Sequence, residues 1–172
     1  PDGTRLAAAI MDGPNIDLWI LEIDRDMFTR LTFEEAVDQN PRWSPDGKWI
    51  VFSSNRGKTS FNLFRQLADG TGEAERLTTS DNPQFPASFS PDGSILVVAE
   101  NNPKTDLDIM YLRLDAEERK PEVFLATPFA ERGPALSPDG KWVSYYTDEF
   151  IKTRRSGTIW EVKVEDLIKG KK

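Results

Sequence analysis

The tripeptide Pro-Asp-Gly begins at Pro1, Pro45, Pro91 and Pro138, at spacings of 44, 46 and 47 residues in a chain of 172. At average residue usage a chain of this length holds roughly 0.03 copies of one such tripeptide, so four at a near-constant period are a repeat. Three copies follow a serine (Ser44, Ser90, Ser137), and a proline stands upstream of the same three (Pro41, Pro86, Pro134). A second landmark keeps the register: Asp17-Leu18-Trp19, Asn62-Leu63-Phe64, Asp108-Ile109-Met110 and Thr158-Ile159-Trp160. A third, Arg30-Leu31-Thr32 and Arg76-Leu77-Thr78, is matched loosely by Val123-Phe124-Leu125 and has no counterpart after the last copy.

Each repeat reads as strands. Ser-Pro-Asp-Gly suits a tight hairpin turn, because Pro presets φ, Asp tolerates the next position and Gly takes the positive φ that follows. The runs after it, Trp49-Ile50-Val51-Phe52, Ile95-Leu96-Val97-Val98 and Trp142-Val143-Ser144-Tyr145-Tyr146, alternate little and predict core strands covered on both faces. The strand after that alternates better, as in Tyr111-Leu112-Arg113-Leu114 and Trp160-Glu161-Val162-Lys163-Val164, which predicts half exposure. A turn such as Ala68-Asp69-Gly70-Thr71-Gly72 then leads to a short fourth strand. Four strands in about 46 residues is the period of a β-propeller blade. The expected fold is all-β, a propeller of four-stranded antiparallel blades with about 3.5 to 4 blades present. A single segment 1–172 is expected, with repeats near 1–40, 41–85, 86–133 and 134–172. An antiparallel sandwich is the weaker alternative, since it has no reason to hold three landmarks in register.

Composition narrows function more than fold. The chain has no histidine and no cysteine. That removes the Ser-His-Asp triad, the Cys-His pair, imidazole acid/base chemistry and thiolate metal sites. With 22 Lys and Arg against 29 Asp and Glu, the net charge of −7 opposes non-specific phosphate binding, so no nucleic-acid partner is expected. No apolar run approaches the ~20 residues of a membrane helix, so no membrane insertion is expected. The chain opens on Pro1 rather than Met, which leads us to expect a piece of a longer protein.

At Ser44-Pro45-Asp46-Gly47-Lys48-Trp49, Ser90-Pro91-Asp92-Gly93 and Ser137-Pro138-Asp139-Gly140-Lys141-Trp142 the chain resembles the WD-like repeats of TolB-like β-propellers. The same repeats occur in the propeller domains of tricorn-type and prolyl-oligopeptidase-like peptidases. The resemblance covers essentially the whole chain and implies the propeller fold, a non-catalytic binding role and a periplasmic address. It also implies a ring of six or more blades, so the chain is expected to belong to a longer ring or to complete one by self-association.

Irregular loops on a rigid scaffold are where binding concentrates. They are expected on the face opposite the Pro-Asp-Gly turns, at 11–17, 33–40, 55–60, 79–84, 100–106, 127–132 and 148–157. The repeated turn residues Asp2, Gly3, Asp46, Gly47, Asp92, Gly93, Asp139 and Gly140 read as structural, each Asp accepting backbone hydrogen bonds. Trp19, Trp49, Trp142 and Trp160 recur as packing residues, which leaves Trp43 as a freer aromatic. Lys152, Arg154 and Arg155 form a basic cluster suited to an acidic partner, with an exposed charge run as the plain alternative. Asp106 and Asp108, beside Asn101 and Asn102, are weak calcium candidates, and no other cofactor is expected. Adjacent carboxylates at Glu34-Glu35, Glu117-Glu118, Asp148-Glu149 and Glu165-Asp166 read as solvated surface rather than an acid/base pair. Three functions fit: a propeller module binding a protein or peptide through its loop face or channel, the regulatory propeller of a larger serine peptidase, and a glycan- or lactone-cleaving propeller.

Overall fold

A computed structural model describes residues 1–57, 59–147 and 158–165. Its fold is all-β, and fourteen strands are present among the described residues, in two compact units, Pro1–Pro86 and Ala87–Lys172. The first unit holds blade 1, with β1 (Arg5–Asp12), β2 (Asn15–Glu22) and β3 (Met27–Arg30), and blade 2, with β4 (Asp38–Trp43), β5 (Trp49–Ser54), β6 (Asn62–Leu67) and β7 (Glu75–Arg76). Blade 3 comprises β8 (Gln84–Phe89), β9 (Ile95–Asn102), β10 (Asp106–Arg113) and β11 (Glu122–Leu125); blade 4 comprises β12 (Glu131–Leu136), β13 (Trp142–Thr147) and β14 (Thr158–Lys163). Every blade is an antiparallel meander in chain order, four-stranded in the middle two and three-stranded in the first and last. That is the propeller-blade architecture the repeat predicts.

The turns explain why the hairpins form where they do. In Ser44-Pro45-Asp46-Gly47 the Gly47 N–H donates to the Ser44 carbonyl at 2.9 Å, and Gly93 to Ser90 and Gly140 to Ser137 repeat the bond at 2.9 Å. The glycines sit at φ +69°, +75° and +69°, the left-handed region that a side chain disfavours. A second bond ties each turn to the end of the adjacent third strand: Ala68 N to Lys48 O, Leu114 N to Ser94 O, and Val164 N to Lys141 O.

Burial follows the pleat. Residues 50 to 54 of β5 are all buried, so both faces are covered, as the unbroken apolar run predicts. The following strand departs from the expected half exposure in its first half. Asp108, Ile109 and Met110 are all buried, and alternation sets in only toward Arg113. In the first unit, Leu18, Ile20 and Leu31 of blade 1 pack on Ile50, Phe52 and Phe64 of blade 2. In the second, Val97, Ile109 and Phe124 of blade 3 pack on Val143 of blade 4. Each fully buried side chain of this kind contributes about 1.5–3 kcal/mol. The opposite face of blade 1 carries the cross-strand row Leu6, Leu21 and Phe28, with Leu6 and Phe28 about half exposed.

Candidate functional site

The Pro-Asp-Gly end of each blade is chemically closed. Ser44 Oγ donates to Asp46 Oδ1 at 2.6 Å and accepts from the Trp49 N–H at 2.9 Å, while the Lys48 N–H donates to the same carboxylate oxygen at 3.1 Å. Ser90 with Asp92, and Ser137 with Asp139, reproduce the arrangement at 2.6 Å. Asp2, with no serine before it, takes the Thr4 N–H at 3.0 Å and the Thr4 hydroxyl at 2.8 Å. The serine hydroxyl and the backbone N–H hold Asp46 and Asp139 below the usual carboxylate range, and Asp92, with the Ser94 hydroxyl added, falls to about 2. These turns saturate their own polar atoms, which leaves little to offer a ligand.

Trp43 lies at this end, as the last residue of β4. Its ring packs against the first unit's core, with the Arg5 guanidinium 4.7 Å from the ring centre. The structure thus gives Trp43 packing partners and sets it apart from the loop residues.

The other end of each unit is built on buried polar side chains that pin the loops. Asn62 Nδ2 donates to the Ser80 carbonyl at 2.9 Å, and Ser53 Oγ donates to the Gln84 carbonyl at 2.6 Å. Asn55 Oδ1 accepts from the Val37 N–H at 2.8 Å. Fully buried Asp17 is held by Arg30 at 2.6 Å, and fully buried Asp38 by Arg56 at 2.7 Å. At this end Met11, beside the β1–β2 turn, and Phe33, in the loop after β3, are each 71% exposed, and Phe129 is exposed on the equivalent end of the second unit. Arg30 also lies over the Phe33 ring, 5.1 Å from its centre.

Asp106 and Asp108 face different partners. Asp108 is buried, with Oδ2 accepting from Asn102 Nδ2 at 2.9 Å and Thr105 Oγ1 at 2.8 Å, whereas the exposed Asp106 stands 3.8 Å from Arg132. Among the described residues no group of three or more His, Cys, Asp or Glu converges on a point suited to a metal ion. Glu34, Glu35, Glu117 and Glu118 are exposed. Lys152, Arg154, Arg155 and the Asp148-Glu149 pair lie outside the described residues, as does Asp166.

Sequence reasoning missed the buried acids Asp17, Asp38 and Glu131, and singled out buried Asp108 only as a calcium candidate. A signal was present: each stands at a repeat landmark, either opening the second landmark or lying just ahead of the upstream proline.

Repeated four-stranded blades closed by Ser-Pro-Asp-Gly turns define a β-propeller repeat protein. Residues 1–169 match the TolB beta propeller domain family, and the chain belongs to it. It is 30% identical over 155 residues to the uncharacterized protein Atu1656 of Agrobacterium fabrum, a match covering 84% of this chain and 52% of that protein. It is 28% identical over 187 residues to the uncharacterized peptidase YuxL of Bacillus subtilis, covering 84% of this chain and 28% of the peptidase. Among solved structures, a candidate TolB of Agrobacterium tumefaciens superposes with a TM-score of 0.79 at 20% identity, over 96% of this chain and 56% of that one. The chain thus spans about half the length of the first of these relatives and under a third of the second.

Proposed function

We propose that this chain is a non-catalytic propeller module that binds a protein or peptide through its loop end. The observation that carries the reading is the strong exposure of two apolar side chains at this end, Met11 beside the β1–β2 turn and Phe33 in a loop that the Val37 to Asn55 hydrogen bond ties down. A partner gains apolar contact there without having to order the loops first, which lowers the entropic cost of binding. At the opposite end the Ser-Pro-Asp-Gly turns satisfy their own polar atoms. Met11→Ala and Phe33→Ala tested against a displayed peptide library give the check: enriched peptides should lose at least tenfold in affinity while the melting temperature stays put. Unchanged affinity for every enriched peptide would remove the loop end from consideration.

A second reading is supported by the similarity to YuxL: the chain as the gating propeller of a larger serine peptidase. With no histidine of its own, the chain would need a neighbouring domain to supply the triad. A reading frame running on past Lys172 into a nucleophile-elbow motif favours this reading. The half-exposed row of Leu6 and Phe28 supports self-association as a further property, and light scattering that finds a folded monomer counts against it.

A further inference from the structure

The repeat places one polar pair at each passage from blade to blade. The first member opens the second landmark, and the second member opens the inner strand of the next blade. The pairs are Asp17 with Asp38, Asn62 with Gln84, and Asp108 with Glu131. All six side chains are at least nine-tenths buried.

Their charge is handled in three ways. At the first junction two acids meet two guanidinium groups, Arg30 on Asp17 at 2.6 Å and Arg56 on Asp38 at 2.7 Å. At the middle junction both acids are replaced by amides, and Gln84 Oε1 accepts from the Thr78 hydroxyl at 2.5 Å. At the last junction both acids return, the third landmark there reads Val123-Phe124-Leu125 and brings no counterpart of Arg30, and among the described residues no arginine pairs with either acid. The donors that remain are neutral: Asn102 and Thr105 on Asp108, and the N–H and hydroxyl of Thr127 on Glu131. Asp108 Oδ1 and Glu131 Oε2 are buried with no hydrogen-bond partner.

We propose that Glu131 is a proton-binding site of the blade 3 to blade 4 junction, its buried carboxyl holding a proton that an exposed glutamate has already released, and the junction loosening when that proton leaves. Two buried like charges cannot both persist without compensation, and one proton removes the excess with no need for room. A divalent cation wants six or more oxygen ligands, and among the described residues no group of three or more carboxylates converges to hold one. The groups facing Glu131 agree. Asp108 lies on β10, and Glu100, its cross-strand neighbour, on β9. On β12 itself Arg132 turns to Asp106 at 3.8 Å. Burial pushes the Glu131 carboxyl up, with the Asp108 charge adding to it and the Thr127 bonds offsetting part. Tyr145 on β13 is pushed up by burial and by the Glu131 charge. Thr127 connects the junction to the loop end, since its hydroxyl also accepts from the Phe129 N–H at 3.2 Å. The inference does not depend on whether that end binds a partner.

The sign follows from linkage. A folded value above the unfolded 4.5 gives stability fully present below 4.5 and lost as pH rises through the folded value. Carboxyl 13C NMR of the intact chain, with glutamates assigned through the backbone, reads the proton itself. Glu131 is expected to keep the shift of a protonated acid as pH rises past 4.5, where an unburied glutamate ionises. A midpoint at or below 4.5 overturns the proposal, and covers the case of a cation neutralising it instead. In thermal unfolding the wild type should lose melting temperature as pH rises above 4.5, while Glu131→Gln, which copies the amide at Gln84, should flatten the curve. An equal loss in both proteins would also overturn it. Should the variant fail to fold, the wild-type NMR titration decides.

Discussion

Arg56 reaches Asp38 across the first unit, Nη2 to Oδ2 at 2.7 Å, while its guanidinium lies 5.3 Å from the Phe52 ring centre and 5.1 Å from that of Phe64. One side chain thus neutralises a fully buried carboxylate and caps two core aromatics. Removing it by Arg56→Met strands the acid, and loss of a buried ion partner costs about 3–5 kcal/mol. Arg56→Lys should recover only part, because an ammonium lacks the planar fork that stacks and donates together. Denaturant unfolding of both variants checks this, and a methionine variant as stable as wild type would show that the pair adds nothing.

Ser90 is predicted to matter for an orphaned donor more than for lost volume. Its buried hydroxyl accepts from the Ile95 N–H at 2.9 Å and donates to Asp92 at 2.6 Å. Ser90→Ala leaves the amide without that acceptor, and an unmade bond at a buried group costs about 1–3 kcal/mol. Asp92, stripped of its largest stabilising donor, should titrate closer to 3.8 in a carboxyl NMR experiment.

The turn aspartates set the acid limb of stability. Asp92 is held near 2 in the folded chain against 3.8 ordinarily, so its contribution is present above 3.8 and fades as pH falls toward 2. Asp46 and Asp139 are lowered by the same kind of serine bond and add in the same direction. The melting temperature should therefore drop between roughly pH 4 and pH 2. In Asp92→Asn that drop should be smaller, and a drop of the same size would assign the acid limb to other carboxylates.

Two glycines with similar backbone should respond differently to alanine. Gly3 at φ +78° has open space where a Cβ would stand, whereas at Gly140, φ +69°, the Cβ would come within 2.9 Å of Pro91 Cδ. Both substitutions carry the left-handed penalty of about 1–2 kcal/mol. Only Gly140→Ala adds overpacking, about 1–3 kcal/mol more. Equal losses in chemical denaturation would mean that the Pro91 turn yields freely.

The fold was readable because its determinants are local. A turn that needs Pro, Asp and a positive-φ Gly in consecutive positions writes itself into the sequence, and the apolar run behind it marks a strand covered on both sides. The junction acids escaped because their partners are not local: Asp17 meets Arg30 thirteen residues on, and Asp38 meets Arg56 eighteen residues on. Only the register of strands brings them together. Adjacency in sequence picks out Glu34-Glu35 and Glu117-Glu118, which are exposed, and passes over Glu131, which the fold sets beside Asp108.

Each Ser-Pro-Asp-Gly corner draws its hydrogen bonds from a span running from the serine to the residue two beyond the glycine. A duplication that copies one period therefore copies a complete hydrogen-bonded fastening with it. What a newly inserted copy must negotiate is the charge of the polar pair on either side, which here has been settled once with arginines and once with amides. Growth of such a chain is thus limited by the chemistry between units and hardly at all by the chemistry within them.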